Sequence, residues 1–296
     1  MDFSVETHDE RIAEIVDSGE QLEQVATGFR FLEGPVWDPY EKTLIFSDIM
    51  GNGLFRKDAR DAISIFRENS YLANGNTYDR TGRLLTCEHG TSRVTRLEKD
   101  GTTSILASHY HGKELNSPND IIVAGDGSVF FTDPTPGRLE RVGIPREQEL
   151  DFQGVYRISP QGELQLLVDD FSKPNGLCLS LGERFLYVND TDLQHIRRFR
   201  LNADGTLSGG QLWVDLYGDE PGVADGLKFD SQGYLYCSGP GGVQIFDSEA
   251  RLIGRFRTPE IAANFTWGDE DLCSMYFTAT TSLYRLRVRI PGNALF

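Results

Sequence analysis

Side chains that carry oxygen donors recur just ahead of short apolar segments in this chain. The strongest instances are Glu33, Asn74, Asn119, Asn175 and Asp225. Carboxylate and amide oxygens are the donors that hard divalent cations such as Ca²⁺ prefer, and a set without His or Cys does not favour a zinc-specific site. These residues could therefore hold a metal ion and support hydrolytic chemistry, provided that the fold brings them together.

The elements that would position them repeat along the chain. Each repeat begins with a small or polar residue, continues as a short apolar strand, turns at Asp or Gly, and ends in a second strand rich in Tyr, Phe, Leu and Val. Successive copies begin roughly 40–55 residues apart, which is typical of propeller blades. The copies span residues 31–48, 72–89, 116–133, 173–190, 222–239 and 262–279, and the last, weaker copy begins its strand near Ala263.

These repeats predict an all-β fold, a six-bladed β-propeller with four-stranded blades around a central channel. An all-β sandwich or barrel is the alternative, but it does not explain six copies at blade spacing. Because an open ring would fray, we expect residues 21–28 to pair with the late strands that include residues 282–290. We predict a partly helical or loose lead-in over residues 1–20 and a single propeller domain over residues 21–296.

Composition and charge narrow the class of protein. The 296 residues carry 29 Lys and Arg against 45 Asp and Glu, for a net charge of −16. That charge argues against nucleic acid and anionic membranes as partners, because both attract basic surfaces. The acidic beginning of the chain lacks the apolar core of a signal peptide, and no apolar run approaches membrane-spanning length. Scattered single cysteines at positions 87, 178, 237 and 273 suggest reduced thiols and a cytoplasmic protein.

Propeller geometry gives the recurring polar residues a shared position. The first strand of each blade lines the channel, so a residue just before that strand lies at one mouth of the channel. Glu33, Asn74, Asn119, Asn175 and Asp225 should therefore converge there as a ring of oxygen donors. Asn and Asp also begin strands simply because they cap turns, which could explain Asn74. Glu33 is harder to explain in that way, because Glu is not a turn residue and a buried unpaired carboxylate is costly.

Several motifs resemble those of the gluconolactonase, senescence-marker-protein and luciferin-regenerating-enzyme family. They are FLEGPVWD, NSPNDI, FFTDP, KPNGLCLS, LYVND and ADGLKFD, and the resemblance extends over about residues 21–289. It implies a six-bladed propeller with one divalent metal held by Glu33, Asn175 and Asp225. By the same resemblance Asn119 is either a further ligand or a substrate contact. Many members hydrolyse sugar lactones, so the resemblance implies a small lactone as substrate.

One position departs from the family pattern. Some animal members carry an Arg two residues before the equivalent of Asn119, where it contacts the sugar acid, and this chain has Ser117. Recognition of the substrate hydroxyls must then come from other residues. The long segment 134–154 follows a strand that ends at the same mouth, and we interpret it as a loop that partly covers the mouth and shapes specificity.

A metal-dependent mechanism follows from this ring. The cation, most simply Ca²⁺ with Mg²⁺, Mn²⁺ or Zn²⁺ as alternatives, would polarise the lactone carbonyl for attack by water. We expect Asp225 to accept the water proton and Asn119 to orient substrate or water. The sequence lacks a Gly-x-Ser-x-Gly nucleophile elbow, which argues against a covalent acyl-enzyme.

A second set of polar residues ends the second strand of each repeat, at the same mouth. For Asp48, Asp133 and Asp190 the simplest interpretation is bonding to nearby backbone N–H groups in turns. His89 could instead contact a substrate hydroxyl or relay a proton, or it could have a packing role. We count His89 and Asn74, with Asn119, as candidate substrate-binding residues.

Other functions remain open at this point. An organophosphate or aryl-ester hydrolase could use the same metal site. A non-catalytic binding propeller with a structural metal is a further alternative, although it would not need Glu33 and Asp225 at an accessible mouth. The sequence does not specify the oligomeric state or the physiological substrate.

Overall fold

A computed structural model describes residues 2–295 of the chain and confirms the predicted six-bladed propeller. Met1 and Phe296, the outermost residues of the two predicted ranges, lie outside the described residues. Six antiparallel sheets of at least four strands each surround a central channel. In every blade the first strand is innermost, and the chain then runs outward strand by strand, as the repeats imply.

The strands of the first two blades follow one another without a long insertion. Blade one contains β3 to β6, at Leu32–Asp38, Thr43–Asp48, Gly53–Lys57 and Ile63–Glu68. Blade two contains β7 to β10, at Ala73–Tyr78, Leu84–Glu88, Arg93–Leu97 and Thr103–Ala107. A small hairpin, β11 and β12, follows at His109–Tyr110 and Lys113–Glu114.

The third blade contains the long insertion, between its second and third strands, and the fourth follows without one. Blade three contains β13 to β16, at Ile121–Val123, Val129–Asp133, Gln153–Ile158 and Leu164–Phe171, with a 3₁₀ turn at Pro136–Arg138. Blade four contains β17 to β20, at Pro174–Leu179, Phe185–Asp190, His195–Leu201 and Leu207–Asp215.

The last two blades each recruit a strand from the beginning of the chain. Blade five contains β21 to β24, at Leu227–Phe229, Leu235–Gly239, Gly242–Phe246 and Leu252–Arg257. Blade six contains β25 to β27, at Ala262–Gly268, Ser274–Ala279 and Ser282–Arg287, and β2 at Glu23–Thr27 completes it. The predicted closure of the ring is therefore confirmed.

The lead-in is more ordered than its sequence indicated. A strand, β1 at Ser4–Thr7, pairs with β24 as a fifth strand of blade five. The short helix α1 at Ile12–Ile15 follows and buries Ile12 and Ile15 in the core shared by blades five and six. These contacts attach the lead-in to the outside of the ring.

Apolar side chains fill the spaces between neighbouring blades. One such core joins blades two and three, where Phe131 stacks on Tyr156 with ring centroids 5.2 Å apart. Another joins blade six to blade one through Leu283 and Phe46. The alternation of inward and outward residues along each strand supplies these faces. Packing between blades therefore fixes the spacing of the inner strands, and with it the geometry of the channel.

The far half of the channel is narrow and mostly apolar. A cavity of about 140 Å³ there is bordered by the later residues of the inner strands and by the C-terminal residues 293–295. Gly292 pairs with Asp230, which holds this segment against the channel end. Within residues 2–295, no helix is long and apolar enough to cross a membrane. The four cysteines are free, as expected.

Candidate metal centre and active site

The inner strands bring the recurring polar residues into one ring. The backbone N–H of Gly75 in blade two donates to the carbonyl oxygen of Asn119 in blade three at 2.8 Å. Between blades three and four, Thr132 Oγ1 donates to the carbonyl oxygen of Asn175 at 2.8 Å. Between blades five and six, the N–H of Gly226 donates to the carbonyl oxygen of Ala263 at 2.9 Å. Neighbouring blades thus contact each other at the predicted positions.

This contact explains why glycine follows most of the ring residues. A Cβ atom on Gly34 would lie 1.9 Å from the carbonyl oxygen of Asn74, and one on Gly176 would lie 2.0 Å from that of Asp225. Any side chain there would force the blades apart. Gly34 also has a φ of +52°, which L residues rarely adopt. The Glu-Gly, Asn-Gly and Asp-Gly pairs in the sequence are therefore a requirement of blade contact.

Glu33 and Asp225 form a close pair of acidic side chains at this ring. Glu33 is buried, and its Oε2 accepts from the N–H of Gly34 at 2.5 Å and from Asn264 Nδ2 at 3.1 Å. Burial raises the pKa of Glu33, because low polarity disfavours the charged form. Burial also raises the pKa of Asp225, and the adjoining Glu33 carboxylate raises it further. Two such groups call for a compensating cation.

Asn175 has a fixed amide orientation beside this pair. Its Nδ2 donates to Thr191 Oγ1 at 3.0 Å, and Thr191 Oγ1 in turn donates to the carbonyl oxygen of Ala224 at 2.7 Å. Because the Thr191 proton is already committed, that hydroxyl can only accept from Asn175. The amide oxygen of Asn175 is consequently directed away from Thr191, and the side chain contacts Asp225.

Asn119 is held in place from two sides. Its N–H donates to the carbonyl oxygen of Thr132 at 2.8 Å, and its own carbonyl accepts from Gly75. The side chain is buried. The structure thus places the Asn119 backbone where the inner strands of blades two and three meet.

The sequence patterns did not identify two candidate functional residues. Each of them lies one position after the ring position of its blade. Asp120 in blade three and Asn264 in blade six occupy the position that is glycine in the other four blades. Each side-chain Oδ1 accepts the next backbone N–H, at 2.9 Å in both cases. Asn264 reaches Glu33, and the Asp120 carboxylate raises the pKa of Asp225. The replaced glycine is the sequence signal that could have identified both.

Asp120 and Lys228 add charge just below the ring. Asp120 is buried, and its Oδ2 has no hydrogen-bond partner within residues 2–295. Lys228 follows Asp225 on the inner strand of blade five and borders the cavity in the far half of the channel. Its ammonium group acts to lower the pKa of Glu33 and of Asp120, against the effect of burial. Lys228 therefore contributes a positive charge to the site.

Asn74 and His89 are bonded to each other. Asn74 Nδ2 lies 3.1 Å from His89 Nε2, and His89 Nδ1 lies 3.2 Å from the carbonyl oxygen of Val142. Only 1% of the His89 surface is exposed. Burial lowers the pKa of His89 to about 4, so the ring is neutral at physiological pH. Both ring nitrogens are thus occupied, which leaves neither free for a substrate hydroxyl in this arrangement.

The aspartates that end the second strands accept hydrogen bonds from backbone N–H groups, as predicted from the sequence. Asp48 accepts from the N–H groups of Phe31 and Gly51, each at 3.0 Å. Asp190 accepts from Ser172 N at 2.8 Å, and Asp133 accepts from Asn116 N at 2.8 Å. These residues shape the turns that lead into the ring.

The segment 134–154 lies against the mouth and is fastened by two arginines. Arg138 is buried, with Nε donating to the carbonyl of Asn116 at 2.8 Å and Nη2 to that of Leu115 at 2.6 Å. Arg146 Nη2 donates to the carbonyl of His89 at 2.7 Å. Ser117 Oγ donates to the carbonyl of Pro134 at 2.5 Å and is covered. The loop thus occupies Ser117 and borders Asn74 through His89.

The donor chemistry of the ring fits a hard divalent cation. Within residues 2–295, no three His, Cys, Asp or Glu side chains are grouped to hold a metal ion. The ring instead offers two carboxylates, Glu33 and Asp225, beside the amides of Asn119 and Asn175. Burial raises the pKa of both carboxylates, and a bound cation would favour their ionised forms. Amide and carboxylate oxygens with water are an ordinary coordination sphere for Ca²⁺.

Comparison with known proteins decides the family. The pattern that defines the SMP-30/gluconolactonase/LRE-like region matches residues 31–281. The chain belongs to this family. The matched region contains the ring residues, from Glu33 in blade one to Asp225 in blade five, and the segment 134–154. The resemblance inferred from the motifs is thereby confirmed.

Individual members of the family cover almost the whole chain. A gluconolactonase of Zymomonas mobilis is 30% identical, over 95% of this chain and 85% of its own length. The pentonolactonase XacC of Haloferax volcanii is 28% identical, over 86% and 83% respectively. Among solved structures, a gluconolactonase of Xanthomonas campestris superposes with a TM-score of 0.89 at 33% identity, covering 96% of this chain and 94% of that one.

Proposed function

We propose that this protein is a lactonase, which hydrolyses a sugar lactone at the channel mouth with the help of one divalent metal ion. The observation that carries the proposal is the convergence of Glu33, Asn175 and Asp225 at one mouth of a gluconolactonase-family propeller. The relatives named above supply the substrate class. The ring of oxygen donors supplies the reason why a hydrolytic reaction would take place there.

Glu33, Asn175 and Asp225 would hold the metal, with Asn119 as a fourth oxygen donor. When bound, a divalent cation supplies Lewis-acid stabilisation of negative charge that develops on the carbonyl oxygen. Ca²⁺ suits the all-oxygen donors, and Mg²⁺, Mn²⁺ and Zn²⁺ are the alternatives. Glu33 is the more buried of the two carboxylates and is fixed by Gly34 and Asn264, which suits it to a purely structural share in metal binding.

Asp225 is the better placed of the two carboxylates to act as base. It is only partly buried, so water and substrate can reach it, whereas Glu33 is buried and fixed by two hydrogen bonds. Water would attack the lactone carbonyl carbon and give its proton to Asp225. The ring C–O bond then breaks, the leaving oxygen takes up a proton, and a hydroxy acid is released.

Asn119 and Asn74 would bind and orient the substrate. The backbone of Asn119 is fixed by hydrogen bonds on both sides and its side chain is buried, so its amide would hold water or substrate from a defined position on the inner strand. Asn74 lies in the same ring, in the blade that separates Glu33 from Asn119. Preorganised neutral donors and acceptors of this kind contribute to rate without the cost of reorganisation.

A lactone panel with and without metal tests the proposal. Glucono-δ-lactone, a pentonolactone, paraoxon and phenyl acetate would be offered to chelator-treated protein, and acid release or leaving-group absorbance followed after each metal is restored. We expect metal-dependent hydrolysis that is fastest on the sugar lactones. Faster turnover of paraoxon or phenyl acetate would favour the organophosphate or aryl-ester alternative. Metal binding without turnover of any substrate would favour a binding propeller with a structural metal.

A further inference from the structure

A chain of hydrogen bonds leads from segment 134–154, here called the lid, into the ring. It joins Val142 of the lid to His89, and His89 to Asn74. The Nδ2 atom of Asn74 lies 3.1 Å from His89 Nε2, and His89 Nδ1 lies 3.2 Å from the carbonyl oxygen of Val142. Asn74 and His89 are both buried, with exposed fractions of 3% and 1%. The chain is thus enclosed and has few alternative partners.

The chemistry of these groups fixes where each proton lies. A backbone carbonyl can only accept, so the proton on His89 must be on Nδ1. A neutral imidazole carries one N–H, and burial keeps this ring neutral. Nε2 of His89 is then an acceptor, and the group that faces it must be the NH₂ of Asn74. The side-chain oxygen of Asn74 is consequently turned the other way.

That oxygen has no hydrogen-bond partner among the described residues. Asn74 Oδ1 is buried and accepts no hydrogen bond from any residue in the range 2–295. An unsatisfied buried acceptor is costly, so it is expected to meet a donor when the site is in use. The Asn74 backbone carbonyl packs against Gly34, directly after Glu33, which places the residue beside the ring. A hydroxyl group of a bound lactone is a donor of suitable kind.

We propose that His89 is a positioning residue: it holds the Asn74 amide so that its oxygen accepts a hydrogen bond from a hydroxyl group of the lactone, while the lid carbonyl of Val142 fixes His89. The inference rests on the proposed function, because it names a specificity contact of the same site. It also gives a role to segment 134–154, which reaches the substrate indirectly. Loss of His89 would free the amide to rotate and to present its NH₂ group instead.

The test compares a hydroxylated lactone with one that lacks hydroxyl groups. We would measure kcat/KM for glucono-δ-lactone and for δ-valerolactone in metal-loaded wild type, His89→Ala, His89→Gln, Asn74→Ala and the His89→Ala/Asn74→Ala double variant. We expect His89→Ala to reduce the preference for glucono-δ-lactone about tenfold, the scale of one neutral hydrogen bond, chiefly through KM. His89→Gln retains an acceptor for the Asn74 amide and should restore most of the preference.

The double variant separates positioning from general structural damage. If His89 acts through Asn74, removing both residues should cost no more preference than Asn74→Ala alone. His109→Ala, at an exposed position of the hairpin β11–β12, serves as the control for loss of a histidine. Urea midpoints would identify variants that are merely unstable. If His89→Ala does not fold, the preferences of His89→Gln and Asn74→Ala are compared with that of wild type.

The outcomes distinguish this inference from the proposed function. Three results would overturn the inference alone, beside an active wild type: an unchanged preference in Asn74→Ala, a preference in His89→Gln as low as in Asn74→Ala, or independent additive effects in the double variant. A wild type that hydrolyses neither lactone with any metal would overturn the proposed function and the inference with it.

Discussion

Asn264 donates its side-chain amide to Glu33 at 3.1 Å and so joins the last blade to the first directly beneath the candidate metal centre. The bond bridges residues 231 positions apart in the chain. It fixes one oxygen of Glu33, while the N–H of Gly34 reaches the same atom. This contact therefore couples the closure of the propeller ring to the position of a proposed ligand.

Replacement of Glu33 by Gln should weaken metal binding. The change keeps one side-chain oxygen but removes one of the two formal charges of the ring, and Ca²⁺ affinity depends on ligand charge. We expect the dissociation constant to rise by about tenfold or more, measured by calorimetry on chelator-treated protein. Glu41→Gln, at an exposed position of the same blade, is the matched control. Equal affinities in wild type and Glu33→Gln would remove Glu33 from the ligand set.

Replacement of Asp225 by Asn should separate binding from proton transfer. Asn keeps an oxygen donor but cannot accept the water proton, so kcat at saturating metal should fall by about 10²-fold or more, the usual scale for loss of a general base. Metal affinity should decrease more modestly. Asp219→Asn, on the exposed loop before blade five's inner strand, is the control. Activity within a few-fold of wild type would transfer the base role to another group.

Loss of Arg138 should loosen the lid. Its guanidinium satisfies the carbonyl groups of Leu115 and Asn116 and pairs with Glu114 at 2.6 Å. In Arg138→Ala we expect faster proteolytic cleavage within segment 139–149 and a higher KM, because buried carbonyls lose their partner. Arg141→Ala removes an exposed arginine from the same loop and should leave both unchanged. Identical cleavage of wild type and Arg138→Ala would show that the loop is held by other contacts.

The buried, neutral His89 should make stability depend on pH in a defined direction. Its pKa is about 4 in the folded protein and near 6.5 when unfolded, so the unfolded chain takes up the proton first on acidification. The free energy of unfolding is therefore unaffected by His89 above about pH 6.5 and falls by up to about 3 kcal/mol as the pH decreases to about 4.

Comparison with His89→Gln isolates this contribution. The variant has no titrating group at the position, so its stability relative to wild type should improve steadily between about pH 6.5 and pH 4. Urea unfolding at several pH values would measure the difference, with His109→Gln as the exposed control. A difference that stays constant over this range would mean that His89 is not held neutral by burial.

Helix α1 of the lead-in should contribute to the free energy of unfolding through its buried Ile15. Ile15 of α1 is fully buried in the core between blades five and six. Ile15→Ala should lower the free energy of unfolding by about 3 kcal/mol, the usual cost of such a truncation in a packed core. Ile65→Ala, at a position that is 49% exposed, should cost far less. Equal urea midpoints for the two variants would mean that the lead-in packs only loosely.

The architecture was predictable because it is periodic. Six copies at blade spacing required six blades, and channel-lining first strands required Glu33, Asn175 and Asp225 to converge. Strand β1 was not predictable, because four residues added to an outer edge leave no periodic signal and depend on the partner strand β24. The edge of blade five, not the lead-in sequence itself, determines that pairing.

The finer parts of the site depend on contacts between blades. Asp120 and Asn264 become recognisable only once the glycine position of the other blades is seen as a point of close approach. The bond between Asn74 and His89 joins the two ends of one repeat, but the orientation of the amide depends on Val142, which arrives from an insertion in the next blade. Sequence patterns give residue types and spacing, whereas such orientation requires the three-dimensional arrangement.

The contacts of the ring carbonyls with glycines of neighbouring blades also limit how this protein can evolve. Duplication or loss of a whole blade would change the circumference of the channel and separate Glu33 from Asp225, which meet only because six inner strands close at this radius. Homologues should therefore diverge through outer strands and through insertions such as segment 134–154, while blade number stays constant. New substrate preferences in this lineage are expected to arise from changes in segment 134–154, while the ring residues stay the same.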